Sequence, residues 1–353
     1  MTTFRFYCTA QFVSKQIIIG DYILPAPKVS IVSAYYNREE YVTESIQSLL
    51  DQSYTDIEII IVNDGSTDNT LDKLNAIKDD RLKIITQENG GFVSAIRRAV
   101  DEASGEYIAV HGSGDISLPT RIEKQAHILE TTPNVGVVSC HVEDDCKTGD
   151  AQYTLKIAND LNFTKTLMQY NMFTHGEVMF RKSVYQKVGG YRSFFIYAQD
   201  RDLWLRMSEH CDYHIVEETL YKRMRLSDGI STNLKKSIIQ AYLSDFARYC
   251  AKERQDGNPD PLEKTGPQSA FLKPPSLPLS KKLIWLGMNQ MLLGNHGDGW
   301  PIIQKALHEC ISKKILFVYA IGLTHKVDFL WNIIGNPVYK TLYKKHLQRS
   351  GQA

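Results

Sequence analysis

The sequence predicts an α/β fold: a mostly parallel, Rossmann-like sheet with helices on both faces, continued by a helical C-terminal region. Two observations carry this. From Lys28 onward, short β-branched runs alternate with segments of helical periodicity, the order that builds βαβ crossovers. The regularity of that alternation implies a mainly parallel sheet covered on both faces. Past residue 255 the β-like runs stop, and a cluster of Pro, Gly and Asp near 255–280 leads into helical patterns.

The elements follow in order. Residues 29–34 (Val-Ser-Ile-Val-Ser-Ala) read as a buried strand. Val42, Ile46, Leu49 and Leu50 then give the i, i+4, i+7, i+8 stripe of an amphipathic helix. Residues 57–62 form a second strand, followed by an acidic turn and a helix. Residues 82–86 form a third, followed by a helix through Ala99; 106–110 form a fourth, and 135–140 a fifth candidate. Residues 1–27 stand outside this rhythm, as an N-terminal extension that pairs 4–12 with 17–24 in a hairpin closed off by Pro25 and Pro27. Residues 28–230 form the main domain and 231–353 the helical C-terminal region. There the cluster near 255–280 reads as a linker, and 281–293 and 300–311 read as helices.

Bulk properties exclude several classes. With 43% hydrophobic and 23% charged residues, the chain is neither disordered nor fibrous. A net charge of +1 provides no global field for nucleic acid, so an anionic ligand must be held by local groups. The six cysteines (8, 140, 146, 211, 250 and 310) contain no CxxC pair. Cys140, His141 and Cys146 lack a second ligand pair at zinc-finger spacing, which leaves reduced thiols of a cytoplasmic protein as the expectation. No apolar stretch approaches the roughly 20 residues that span a bilayer; residues 315–323 reach about half of that, so contact with the inner face of a membrane would be peripheral.

In open α/β sheets, ligands bind outside the carboxyl ends of the strands, and that rule selects the candidates. Tyr36, Asp64 and Asp115 each follow a strand, so all three are expected on one edge of the sheet. In the turn 63–68 (Asn-Asp-Gly-Ser-Thr-Asp), Ser66 to Asp68 suit a helix cap. Asp64 lies at the strand end, where a carboxylate can accept an N–H from a nucleobase. Tyr36 is either a packing residue or a flat surface for that base. Asn89-Gly90-Gly91 opens a helix carrying Arg97 and Arg98, which are either a solvated face or a contact to phosphates. His111-Gly112-Ser113-Gly114-Asp115 is a turn whose one carboxylate suits a hard cation, because phosphates and water complete such a shell. Asp200, at the start of the pattern through Met207, is placed to reach an acceptor hydroxyl as a base. Asp202 and Arg206 have the spacing of an i, i+4 ion pair.

As an ordered set, these segments resemble the family 2 glycosyltransferases of the glycosyltransferase A fold, over roughly residues 28 to 230. The carriers are Val29-Ser30-Ile31 through Tyr36-Asn37-Arg38, Leu50 to Tyr54, Glu58 through Asp68, Gly105 to Ala109, His175 to Phe180, Gly189-Gly190-Tyr191, and Asp200 to Arg206. The resemblance implies an inverting transfer of a sugar from a nucleotide-diphosphate donor, a UDP-sugar foremost, to an acceptor hydroxyl in cell-surface polysaccharide, glycan or glycolipid synthesis. Asp200 would be the catalytic base. Ala34, Tyr36, Asp64, Arg97, Arg98, Ser113 and Gly114 would line the donor nucleotide, with Asp64 on the base and Tyr36 stacked on it. Asp115 would hold Mg²⁺ or Mn²⁺ on the diphosphate. His175, Glu177, Arg223 and Arg225 would face the diphosphate or a saccharide, lipid-linked or small-molecule acceptor.

Three departures from the family pattern stand out. The Asp-x-Asp-Asp motif reads Gly112-Ser113-Gly114-Asp115, the glutamate before the base is Gln199, and the histidine of the usual Tyr-Arg-x-His segment is absent, with Arg223 and Arg225 nearby. No Gln-x-x-Arg-Trp segment of processive synthases occurs, which implies single additions. The eroded acid motif also suits a nucleotide-sugar-binding protein of the same fold with impaired catalysis. A sugar nucleotidyltransferase would need a Gly-rich basic loop where Ala34-Tyr35-Tyr36-Asn37 stands. The C-terminal helices suit a cover over the acceptor cleft, a homodimer contact, or a membrane surface. The basic stretch Lys340 to Arg349 fits a membrane and equally fits a solvated terminal helix.

Overall fold

The computed structural model describes residues 16–19, 22–25, 28–145, 153–224, 233–327 and 330–349. Strands β1 (Gln16–Ile19) and β2 (Tyr22–Pro25) pair antiparallel, Ile17 opposite Leu24. A hairpin therefore forms within 16–25; its expected partner segment, 4–12, lies outside the described residues.

The regular part follows the predicted rhythm: β3 (Val29–Tyr35), α1 (Val42–Leu50), β4 (Ile57–Asp64), α2 (Thr70–Ala76), β5 (Leu82–Gln87), α3 (Phe92–Asp101) and β6 (Tyr107–Val110). Short β7 (Ile116–Ser117) and α4 (Arg121–Thr131) lead to β8 (Val135–Asp145) and β9 (Tyr153–Leu155). Then come α5 (Phe163–Gln169), β10 (Met179–Arg181), α6 (Lys182–Lys187), α7 (Gln199–Met207) and β11 (Asp212–Met224).

Among the described residues these strands form one sheet in the order β5-β4-β3-β6-β10-β8-β11-β7, with β9 beside β8. The pairs β5–β4, β4–β3, β3–β6 and β8–β11 are parallel. Strand β10 runs antiparallel to both β6 and β8, so β8 and β11 regain the direction of the first four strands. That reversal has a positional consequence. The turn entering β10 lies beside the carboxyl end of β6, with Val110 N donating to Val178 O at 2.9 Å. A parallel strand would have placed it at the opposite edge.

Alternate residues of the central strands feed two cores, as the period of two dictates. Val32, Ala34, Ile60 and Val62 join α3, α7 and the aromatic residues Phe180, Tyr191 and Trp204. Val29, Ile31, Tyr35, Ile59 and Ile61 join α1 and α4 through Ile46, Leu49, Ile122 and Leu129. Fully burying each such aliphatic side chain stabilises the fold by roughly 1.5–3 kcal/mol, and this fixes the strand register on which the site is built.

The C-terminal region is α8 (Leu234–Gln255), α9 (Pro261–Thr265), α10 (Ser269–Leu272), α11 (Leu277–Leu292), α12 (His296–Glu309), α13 (Lys313–Gly322) and α14 (Asn336–Arg349). Helix α8 ties it to the sheet domain: Phe246, Ala247, Cys250 and Ala251 enter the sheet core, while Ala241 packs with α11 and α12. The stretch read as a linker is folded. Asp260 accepts from Arg192 Nη1 at 2.9 Å and also pairs with Arg254. The Pro and Gly residues there separate short helices and do not form an open tether. Cys140, Cys211, Cys250 and Cys310 are free thiols; Cys8 and Cys146 lie outside the described residues.

Candidate active site

The loops after β3, β4, β5 and β6 and the turn before β10 meet at one edge of the sheet. The β3 and β4 loops are stapled by side chains. Asn37 N donates to Ser66 Oγ at 3.1 Å, Thr67 N to Asn37 Oδ1 at 2.8 Å, and Arg38 N to Thr70 Oγ1 at 2.7 Å. Asp68 accepts from Thr70 N and Glu39 N. The Ser66–Asp68 turn, expected to cap α2, spends its side chains mostly across to the neighbouring loop, and the residue at the N-cap is Asn69. Neighbouring parallel strands bring the two loops side by side, so the cross-loop donors compete successfully with the helix end.

Strand β4 runs two residues beyond its expected end at Val62, so Asp64 is its last residue, and it is buried. Its Oδ1 accepts from Gln87 Nε2 at 2.7 Å and from Gly90 N at 2.9 Å. Gln87 in turn accepts through Oε1 from Arg98 at 3.4 Å. Arg97 and Arg98 are both exposed on α3. Tyr36 stands 45% exposed directly after β3, a flat ring open to solvent on the same edge. Ala34 lies within β3, its side chain in the core, so only its backbone faces the neighbouring strands.

Asp115 folds inward. Tyr221 OH donates to Oδ2 at 2.7 Å and Met224 N to Oδ1 at 2.8 Å, so the end of β11 grips the carboxylate from both sides. Burial pushes its pKa up to about 6, against the two hydrogen bonds and Arg223, which pull it down. A side-chain carbon at Gly112 or at Gly176 would collide with this pair. The glycine at 112 and the inward position of Asp115 therefore belong together. Ser113 is half-buried, and Gly114 (φ 101°) donates its N–H to Ser45 Oγ at 3.3 Å. Ser45 also meets Tyr35 OH and His111 Nε2, each at 3.0 Å, which fixes the loop on α1.

Among the described residues, no three His, Cys, Asp or Glu side chains stand together as a metal-ligand group. The single hard carboxylate of Asp115 fits Mg²⁺ or Mn²⁺ only where ligand oxygens and water complete the shell; each carboxylate oxygen can still use a second lone pair beyond the bond it accepts.

The turn 174–178 is the hub between the two halves of the site. His175 holds a left-handed backbone (φ 87°), an uncommon state for a side-chain-bearing residue. Its Nε2 and Tyr191 OH are 2.7 Å apart, and its ring meets Phe92, the first residue of α3, edge-on at 5.6 Å. Burial pushes its pKa down to about 4, which keeps the ring neutral at pH 7. Glu177 points away from solvent and is wholly buried. It accepts from Thr174 N at 2.8 Å, Thr174 Oγ1 at 2.5 Å and Ser139 Oγ at 3.3 Å, so its carboxylate shapes the turn.

Asp200 is the second residue of α7. Asn171 Nδ2 donates to its Oδ2 at 2.7 Å. Its pKa is raised chiefly by burial, opposed by the Arg201 backbone N–H and by Asn171. Asp202, two residues on, is a different kind of group. It is 1% exposed and ion-paired to Arg206 at 2.6 Å and to Arg192, a structural clamp with no access to an acceptor. Arg223 is held by Asp144 through two bonds of 2.6 and 2.7 Å, while Arg225 lies outside the described residues. Tyr191 stood in a segment that carries the family resemblance, without a role of its own; Asn171, Gln87 and Tyr221 had no local signal in the sequence. Each acts on a residue far away in the chain, up to 106 positions for Tyr221 and Asp115, and no local pattern announces that.

A parallel-centred sheet with its loops gathered on one carboxyl edge, and a carboxylate at the start of a helix beside them, defines an α/β protein built to act on a bound ligand. The model of glycosyl transferase family 2 matches residues 30–189, and the chain belongs to that family, with the glycosyltransferase A fold. It is 34% identical to the Escherichia coli O-antigen biosynthesis glycosyltransferase WbnJ over 188 residues, covering 52% of this chain and 72% of that protein. It is 33% identical to an uncharacterized glycosyltransferase of Haemophilus influenzae, covering 52% of this chain and 60% of the relative. The mannosyltransferase PcManGT of Pyrobaculum calidifontis, solved with GDP-Man and Mn²⁺, shares the fold at a TM-score of 0.51 and 18% identity, over 90% of this chain and 83% of that one.

Proposed function

We propose that the protein is an inverting, single-addition glycosyltransferase using a nucleotide-diphosphate sugar, a UDP-sugar foremost, in the synthesis of cell-surface polysaccharide, glycan or glycolipid. The observation that carries this is the pairing of Asp200 with Asn171 at the start of α7, linked through Tyr191, His175 and Phe92 to the loop that holds Asp64. Asp64 and Tyr36 take the nucleobase, one by hydrogen bond and one by stacking. Asp200 accepts the proton of the acceptor hydroxyl as its oxygen attacks the anomeric carbon opposite the diphosphate, and a single displacement inverts that carbon. Burial raises the basicity of Asp200, which suits it to this role better than an ordinary surface carboxylate. Arg98, which donates to the Gln87 that holds Asp64, supplies positive charge for the diphosphate. A divalent cation held by Asp115 and the donor's own oxygens would neutralise charge on the departing group.

One observation favours a second reading, a nucleotide-sugar-binding protein without turnover: both oxygens of Asp115 already accept protein hydrogen bonds. Release of nucleotide diphosphate from a panel of UDP-, GDP- and other nucleotide sugars, with an acceptor mixture and with Mn²⁺ or EDTA, separates the two. Acceptor-dependent release supports the transferase. Binding without release from any donor supports the second reading.

A further inference from the structure

Eight of the eighteen exposed large apolar side chains among the described residues fall between positions 311 and 334. They are organised. Helix α13 buries Ile315, Val318 and Gly322 on one face, and its opposite face carries Leu316 (45% exposed) and Phe317 (50% exposed) where a surface helix ordinarily carries charge. The turn of π-helix at Trp331–Gly335 repeats the pattern: Trp331 and Gly335 are buried, while Ile333 (58%) and Ile334 (40%) face outward. The charge of the same segment is one-sided. From 311 to 349 the sequence holds six lysines and one arginine against a single acid, Asp328, in a chain whose net charge is +1. No helix of the described residues is long and apolar enough to cross a membrane.

We infer that this face, α13 with the Trp331–Gly335 turn and its surrounding lysines, docks on an anionic phospholipid surface. The apolar side chains enter the boundary of headgroups and acyl chains, and Lys313, Lys314 and Lys326 face the phosphates, the division that holds an interfacial helix in the membrane plane. Charge decides the occupant. A second copy meeting this face across a two-fold axis would bring the same basic patch against itself, whereas an anionic leaflet is complementary to it. The attachment does not depend on the transferase reading.

Co-sedimentation of the full chain with phosphatidylcholine vesicles, with and without 30% phosphatidylglycerol (about the anionic content that gives a substantial surface potential), tests it. Binding is expected to the mixed vesicles, at least tenfold weaker to phosphatidylcholine alone, and weakened by salt. Leu316→Ser with Phe317→Ser, and separately Lys313→Glu with Lys314→Glu, each lower binding at least tenfold. Circular dichroism of both variants stays unchanged, because all four side chains are exposed. Failure of the native chain to bind either vesicle overturns the inference, as does equal binding to both at every salt concentration. A dimer in sedimentation velocity that the Leu316→Ser, Phe317→Ser pair dissolves assigns the face to a second copy and overturns it equally.

Discussion

Asn171 Nδ2 donates to Asp200 Oδ2 at 2.7 Å, and this bond orients the carboxylate at the start of α7. Asn171 precedes the 174–178 turn, so the segment that forms the hub of the site also holds the proposed base. Without that donor Asp200 keeps its burial and loses one of the groups that favour its charged form.

Asn171→Ala is therefore expected to lower kcat/KM by about tenfold or more, since a hydrogen bond to a charged group contributes roughly 1.5–3 kcal/mol. The acid limb of its pH–rate profile should also move upward. Loss of rate with an unmoved limb would make Asn171 a packing residue only.

The raised pKa of Asp200 has a stability consequence of definite sign. Its folded value lies above the ordinary 3.8, so between those two values the folded state holds more protons than the unfolded one. Stability from this group therefore falls as pH rises through that window. Relative to the native chain, Asp200→Asn should gain stability from acid to neutral pH in urea titrations. A native advantage at pH 7 would contradict the burial argument.

Asp202 provides the contrast. With Arg206 and Arg192 gathered on a buried carboxylate, Asp202→Asn takes the counter-charge from the poorly solvated Arg206 guanidinium and leaves Arg192 to Asp260, and is expected to destabilise the fold by about 3–5 kcal/mol. Urea unfolding reads this directly. A stable Asp202→Asn protein that has lost only transfer would reassign the base to Asp202.

Donor recognition rests on Asp64. Asp64→Ala removes a carboxylate that also anchors Gly90 and Gln87, and calorimetric titration of nucleoside diphosphate should show binding weakened by about 10–100-fold, the equivalent of one charged hydrogen bond. Unchanged affinity would remove Asp64 from the nucleotide site.

Gly112→Ala addresses the altered acid motif. Its added carbon would occupy the space of the Asp115–Tyr221 pair, so both thermal stability and any Mn²⁺ stimulation should fall together. Tyr221→Phe deletes both the bond to Asp115 and the acceptor of Gly112 N but adds no bulk, and should lower stability less than Gly112→Ala. If both variants behave as the native chain, the inward position of Asp115 has no consequence.

The parallel half of the fold was legible because β3 and β4 are rich in β-branched residues and alternate with helical patterns such as the α1 stripe. Asp64 and Tyr36 could be found because strand ends locate the ligand edge. The direction of β10 was not legible: a strand of three residues, Met179 to Arg181, carries no signal of orientation, yet its reversal is what delivers His175 to the site. The spacing favoured Asp200 over Asp202, which stands i, i+4 from Arg206, but it could not show Arg192, ten residues from Asp202, or Asn171, twenty-nine from Asp200. Each of those contacts exists only in the folded chain. The Pro- and Gly-rich stretch looked like a tether because its clamp, Arg192 on Asp260, spans 68 positions.

The most direct measurement is sugar transfer by Asp200→Asn on whichever donor the native chain turns over, beside calorimetric binding of the nucleoside diphosphate to the same variant. Transfer should fall by at least a thousandfold while nucleotide affinity stays within about threefold, the separation expected of a group that acts only in proton transfer. Transfer near the native rate would contradict the account, and loss of nucleotide binding in parallel would place Asp200 on the donor instead of the acceptor.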